Sequence, residues 1–272
     1  MNILLPTDFS ENSRNAAVYA AAYFKNVPCN FHFLHVSPGA PEKLSKGSQT
    51  MPGDIKKKFE NLSNWINQIK TSEEHHFHYC YKINYLIEAV REKVLEKNID
   101  LILMGTKGVS NKQAIILGKN TADVIMKVKC PALAISENAV YKSQQDILFP
   151  TDYKILYSKK MLNTLKLITN FTPTNFKILE LYSSTKDPDE NQKTNKESLL
   201  DSLSEFDVHP SIQTYGSTTT TSNTSEVQFN KKVDLIVMAA KNLNLCQRLL
   251  KNEYNSTQIP FIRKLPLLIL HD

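Results

Sequence analysis

Three glycines form a pattern with chemical meaning. Gly105 and Gly108 enclose Thr106-Lys107, and Gly118 follows after nine further residues to open the run Gly118-Lys119-Asn120-Thr121. The first pair ends an apolar run, Leu101-Ile102-Leu103-Met104, and Gly118 precedes a helical pattern. Glycine lets the backbone approach a ligand closely. A helix starting after Gly118 aims free N–H groups and the positive end of its dipole at the bound group, which suits phosphate. A second apolar run, Ile3-Leu4-Leu5, closes on Pro6-Thr7-Asp8. Asp8 can accept from a hydroxyl, and Thr121 can donate to a phosphate oxygen. Plainer roles stand beside these: Asp8 also suits a helix cap, and Gly105 and Gly108 suit ordinary turns.

Two well-known phosphate signatures are absent. A P-loop needs glycine five residues ahead of its Gly-Lys pair, where this chain has Gln113. The dinucleotide fingerprint G-x-G-x-x-G does not follow the first strand of either half. Catalytic constellations are missing as well. Ser10 and Ser13 have no histidine base signalled in the sequence, and G-x-S-x-G does not occur. Glu73-Glu74 lies beside a strand, in no recognisable cleft. His75, His76 and His78 suggest a metal cluster, but on a strand His75 points away from the other two. Without an acidic or cysteine partner they read as a solvated strand edge. His32 and His35 read as core residues. Cys29, Cys80, Cys130 and Cys246 form no C-x-x-C pair, which argues against a zinc ribbon or a disulfide scaffold. They read as small core hydrophobes of a reduced, cytoplasmic protein.

Strands must place the glycines and helices must face them. In the first half, residues 3–5, 31–36, 77–83, 101–104 and 133–135 read as strands. Between them run helical patterns. Ser10 caps one with an inner face of Ala16, Ala17, Ala20 and Phe24. Ile55, Phe59, Leu62, Ile66 and Ile69 mark a second, with Lys56, Lys57 and Lys58 on its wet side. Leu86, Val90 and Leu95 mark a third, and residues 121–128 a fourth. Strands alternating with helices imply a parallel sheet covered on both faces.

The chain then repeats itself. Ile3-Leu4-Leu5-Pro6-Thr7-Asp8 returns as Ile147-Leu148-Phe149-Pro150-Thr151-Asp152, 144 positions later. Asp100-Leu101-Ile102-Leu103-Met104 returns as Asp234-Leu235-Ile236-Val237-Met238, and Pro131-Ala132-Leu133-Ala134-Ile135 as Pro266-Leu267-Leu268-Ile269-Leu270. Three echoes in one order, about a domain length apart, indicate a duplicated domain. The expected fold class is α/β: two tandem, doubly wound, open parallel five-stranded sheets with helices on both faces, Rossmann-like. The expected boundaries are 1–138, a polar linker 139–145, and 146–272. Residues 187–194 and 217–225 read as polar, loop-like insertions, with the threonine run 218–221 solvated. The second copy lacks the glycines: Met238 is followed by Ala239-Ala240-Lys241-Asn242, and no glycine occurs after Gly216.

Composition removes several function classes. The net charge is +6, but only four of the 33 basic residues are arginine, the residue that base readout favours. Specific nucleic-acid binding is not expected. No apolar run reaches the roughly 20 residues of a membrane span, and the N-terminus reads as a strand rather than a secretory signal.

G-x2-G-x9-G after a strand ending Leu-Ile-Leu-Met-Gly closely resembles the universal stress protein family. The opening Ile-Leu-Leu-Pro-Thr-Asp-Phe-Ser and the run Leu34-His35-Val36 are similar too. The resemblance covers the first half to about Ser136, and in the second half only the first, fourth and fifth strands. It implies an adenine nucleotide, ATP or a relative, in the first domain. Pro6, Thr7, Asp8 and Val36 would lie at base and ribose, and Met104 and Gly105 would flank the nucleoside. Gly108 would give room to the phosphates, with Gly118, Lys119, Asn120 and Thr121 holding them. Mg2+ at the phosphates is left open. The family commonly has serine where this chain has Lys119; the backbone N–H survives that change, while the ammonium is free to add a contact or turn to solvent.

The resemblance also implies association through the last strand, edge to edge. Ala132–Ile135 and Leu267–Leu270 could then make an intrachain pseudo-dimer, with the second domain as a nucleotide-free partner and homodimerisation left open. The expected role is a cytoplasmic stress-response protein acting through an unidentified protein partner, and not an enzyme. Without a positioned general base any ATP hydrolysis would be slow. A non-nucleotide interaction module and a slow ATPase remain as alternatives.

Overall fold

The computed structural model describes residues 1–39, 50–69, 72–106, 117–142, 145–169, 174–183, 187–215, 233–242 and 265–272. The chain divides into two compact units, Met1–Tyr141 and Lys142–Asp272. In the first unit the short apolar runs become five parallel strands, β1 (Asn2–Pro6), β2 (Cys29–Ser37), β3 (His75–Ile83), β4 (Leu101–Gly105) and β5 (Ala132–Ile135). Their order is β3-β2-β1-β4-β5. The sheet grows outward on both sides from β1 and β4, so a crevice opens beyond the carboxyl ends of that pair.

Register assigns side chains to two faces. Leu4, His32, His78 and Ile102 share one face, and Ile3, Phe31, Phe77 and Leu101 the other. Helices α1 (Glu11–Tyr23) and α2 (Gly53–Gln68) cover the second face, where Phe59 meets Tyr79 at 5.5 Å between ring centres. Helices α3 (Leu86–Glu96) and α4 (Lys119–Lys127) pack on each other, and α3 lies against β1 and β2. The predicted inner faces of α1 and α2 are buried, with Ile69 just past the end of α2. α3 departs from prediction: Leu95 is 79% exposed, while Lys93 is 5% exposed. The stripe continues Leu86, Val90, Lys93 at helical spacing, and Leu95 lies off it. His75 also departs from a solvated edge. It is buried, and its Nε2 lies 3.0 Å from the carbonyl of Phe24.

The second unit contains β6 (Gln145–Thr151), α5 (Lys159–Thr169), β7 (Thr174–Ser183), α6 (Glu190–Ser202), β8 (Asp207–Tyr215), β9 (Leu235–Ala239) and β10 (Leu267–Leu270). Its order is β10-β9-β6-β7-β8. The register repeats as well: Leu4 pairs with His32 and Ile102, and Leu148 with Lys177 and Ile236. Residues 187–194 are not an insertion loop. Asp189 and Gln192 form a capping box that starts α6, and Gln192 and Asn195 donate to the Asp152 and Tyr153 carbonyls. The stretch 217–225, with its threonine run, lies outside the described residues.

Candidate functional site

The turn from β1 into α1 is held by its own side chains. The Thr7 N–H donates to the Leu34 carbonyl at 2.9 Å, and the Thr7 hydroxyl accepts from the Phe9 N–H at 3.0 Å. Asp8 Oδ1 accepts from the Ser10 N–H at 3.0 Å. Ser10, not Asp8, caps α1 by accepting from the Ser13 N–H at 3.3 Å. The Thr7 carbonyl accepts from His35 Nδ1 at 2.8 Å, which fixes the proton on that nitrogen. Phe9 sits at φ 63°, a left-handed conformation unusual for a bulky residue. Its ring is braced by His35 and Phe59, with centres at 4.7 and 5.0 Å. This frame leaves Asp8 exposed at the crevice.

The second wall joins β4 to α4. A Cβ at Gly105 would meet the Asn12 side chain at 2.8 Å, so its missing side chain makes room for α1 as well as for any ligand. Thr121 donates its hydroxyl to the Gly105 carbonyl at 2.8 Å, tying α4 to the strand end. That proton is therefore committed within the protein, contrary to the phosphate-donor role read from sequence. Gly118 caps α4 with φ −60° and ψ 153°, angles open to any residue, and no side chain satisfies the first-turn N–H groups. Its contribution is the missing side chain at a helix start whose dipole favours an anion.

These walls enclose a hollow of about 470 Å3. Pro6, Thr7, Asp8, Val36, Met104, Gly105, Gly118, Lys119, Asn120 and Thr121 all line it, and Gly108 lies outside the described residues. Ser13, Leu34 and Leu86 line it too and were not predicted. Leu34 was legible through register, being paired with Pro6. Leu86 stands at the start of α3, where the apolar pattern marked only a helix face. Among the described lining residues, Asp8 and Lys119 carry the charge, and both are exposed.

At the corresponding place in the second unit, among the described residues, that unit's own side chains fill positions that are open in the first. The turn itself is kept. Tyr153 has φ 53°, its N–H donates to the Thr151 hydroxyl at 3.0 Å, and the Lys154 N–H donates to Asp152 Oδ1 at 3.2 Å. Asn242, three residues beyond the strand end as Gly108 is in the first unit, donates to Asp152 Oδ1 at 2.6 Å. Tyr157, at the place of Ser13, donates to the Thr151 hydroxyl at 2.6 Å. Glu180, at the place of His35, is 1% exposed and pairs with Lys196 at 2.9 Å. Asp152 is thus buried where Asp8 is open.

The sequence model of the universal stress protein family matches residues 1–136. The chain belongs to this family. Universal stress protein MJ0577 of Methanocaldococcus jannaschii is 27% identical over 153 residues, which span 49% of this chain and 93% of that protein. A universal stress protein from Archaeoglobus fulgidus, known from its crystal structure, aligns with 100% of this chain and 97% of its own length, at TM-score 0.62 and 18% identity. A functionally unknown protein from Pseudomonas aeruginosa PAO1 aligns with 99% of this chain and 92% of its own, at TM-score 0.54 and 13% identity. These two likenesses extend the fold across both halves. Among the described residues of this universal stress protein, no helix is long and apolar enough to cross a membrane.

Proposed function

We propose that the first unit binds an adenine nucleotide, ATP foremost, at the crevice beyond β1, β2 and β4, and that the second unit is its nucleotide-free partner in an intrachain pseudo-dimer. The observation carrying this reading is the uncapped start of α4 beside an open hollow that takes in Pro6, Thr7, Asp8, Val36 and Met104. Uncapped N–H groups at a helix start suit phosphate, the exposed Asp8 carboxylate suits a ribose hydroxyl, and Lys119 supplies a cation beside the phosphate position. Mg2+ fits as a phosphate-borne ion, since Asp8 is the one carboxylate in the described lining. The proposed role is binding rather than turnover. No imidazole stands in the described lining, and Oδ1 of Asp8 is already engaged by the Ser10 N–H. Nucleotide occupancy stabilises the folded first unit and so offers a stress-linked protein partner a signal to read.

The test is direct. Purified protein is denatured, and released adenine nucleotide is sought; melting is then recorded with and without Mg-ATP. Ligand at about 100 times its Kd adds about 2.7 kcal/mol of stability, and Gly118→Val removes the response. Protein that carries no nucleotide and melts identically in millimolar Mg-ATP overturns the reading.

A further inference from the structure

We propose that the first unit has a second ligand site, a hollow beneath the carboxyl end of α3 that takes a small oxyanion, a carboxylate or a phosphate. This hollow has a volume of about 570 Å3. It lies at the opposite end of α3 from the crevice of the proposed nucleotide, and Leu34 lines both. The inference therefore does not rest on nucleotide binding.

Two side chains point to a ligand here. His32 is 8% exposed, lines the hollow, and makes no hydrogen bond through its ring nitrogens among the described residues; its one neighbour of note is the stacked ring of His78 at 4.8 Å. The His32 ring nitrogens reach the solvent of the hollow, where an incoming acceptor can take the place of water. Lys93 is the second, a lysine turned inward on a helix stripe that apolar residues otherwise fill.

The charges facing His32 decide the kind of ligand. β1 brings Asn2 and Leu4, and β3 brings His78 and Cys80. The end of α3 brings Lys93, Glu96 and Lys97. Glu96 answers both lysines, at 2.7 Å from Lys93 and 3.4 Å from Lys97. Two ammonium groups thus share one carboxylate, and His78 Nε2 faces the Asn30 amide oxygen at 3.4 Å. The amide groups of Asn2 and Asn30 are spent on the Lys97 carbonyl and on each other. Among the described residues no group of three or more His, Cys, Asp or Glu could hold a metal. An oxyanion answers the surplus, accepting from His32 in a charge-assisted bond beside the ammonium groups. Burial, then His78, Lys97 and Lys93, push His32 down to about 4, and an anion in the hollow opposes that push.

The experiment follows the imidazole resonances of the full chain by NMR. It is titrated over pH in potassium chloride, then at equal ionic strength in inorganic phosphate, then in benzoate. The titration midpoint of His32 should rise by about one pH unit in at least one anion, while the exposed His76 stays put. Response to one probe alone supports the site and names its anion class. Lys97→Met, at an exposed side chain, weakens the response several-fold, and Gly118→Val leaves it unchanged. If His32 moves no further than His76 in either anion, or its shift survives Lys93→Met with Lys97→Met, the proposal falls.

Discussion

At Gly105 and His32, single side chains decide between competing demands. Gly105→Ala places a Cβ against Asn12 at 2.8 Å. Overpacking of this kind costs about 1–3 kcal/mol. We expect a lower denaturation midpoint, largely restored by adding Asn12→Ser; a neutral Gly105→Ala would mean that α1 yields freely. His32 makes stability depend on pH. Its folded value lies near 4, below the ordinary histidine value of 6.5. As pH falls below 6.5 the unfolded chain takes a proton that the folded chain refuses, so stability declines until about pH 4 and then levels. The loss should be about 2 kcal/mol, less than the full shift implies because the hollow admits water. His32→Leu should flatten denaturation midpoints between pH 7 and 4.5, and an unchanged slope in that variant would refute the assignment. The crevice residues were largely legible in sequence because they sit in two short local motifs. Thr121 was legible as a site residue, whereas the target of its hydroxyl was not, since the Gly105 carbonyl reaches it only through folding.

For helices and turns, stripes and caps carried the information and single residues the surprises. The inner faces of α1 and α2 followed from spacing alone. α3 was misread at Leu95 because hydrophobicity outvoted periodicity, and the second hollow went unseen with it. Lys93 at an apolar stripe position was the available signal. α6 was missed because its exposed face offers little apolar pattern, although Asp189 and Gln192 already spelled a capping box. The turn after the first strand survives in both units, but in the second it is locked by Asn242 and Tyr157. Asn242→Gly removes one of the two amide donors to the buried Asp152 Oδ1, leaving the Lys154 N–H, a loss of about 1–3 kcal/mol. Hydrogen exchange should accelerate at residues 152–154 and 239–242, and unaltered protection there would show the lock to be idle.

On the scale of the chain, duplication was legible because the three echoes are strands, and strands keep register when loops drift. Leu148 meets Lys177 and Ile236 as Leu4 meets His32 and Ile102. The helices between them carried almost no echo, since only burial constrains them. The extent of the first unit was less legible than its sheet. The family model ends at residue 136, yet Tyr141 packs edge-on against Tyr19 and Tyr23 of α1, at 6.0 and 5.4 Å between ring centres. Asn15 reaches the Ser136 and Ala139 carbonyls from the same helix. A shortened protein stopped at Ile135 would strip that covering from α1 and should aggregate or melt early, whereas one carried through Lys142 should stay in solution. The segment after β5 is thus a clasp, and the place to divide this gene lies past Tyr141.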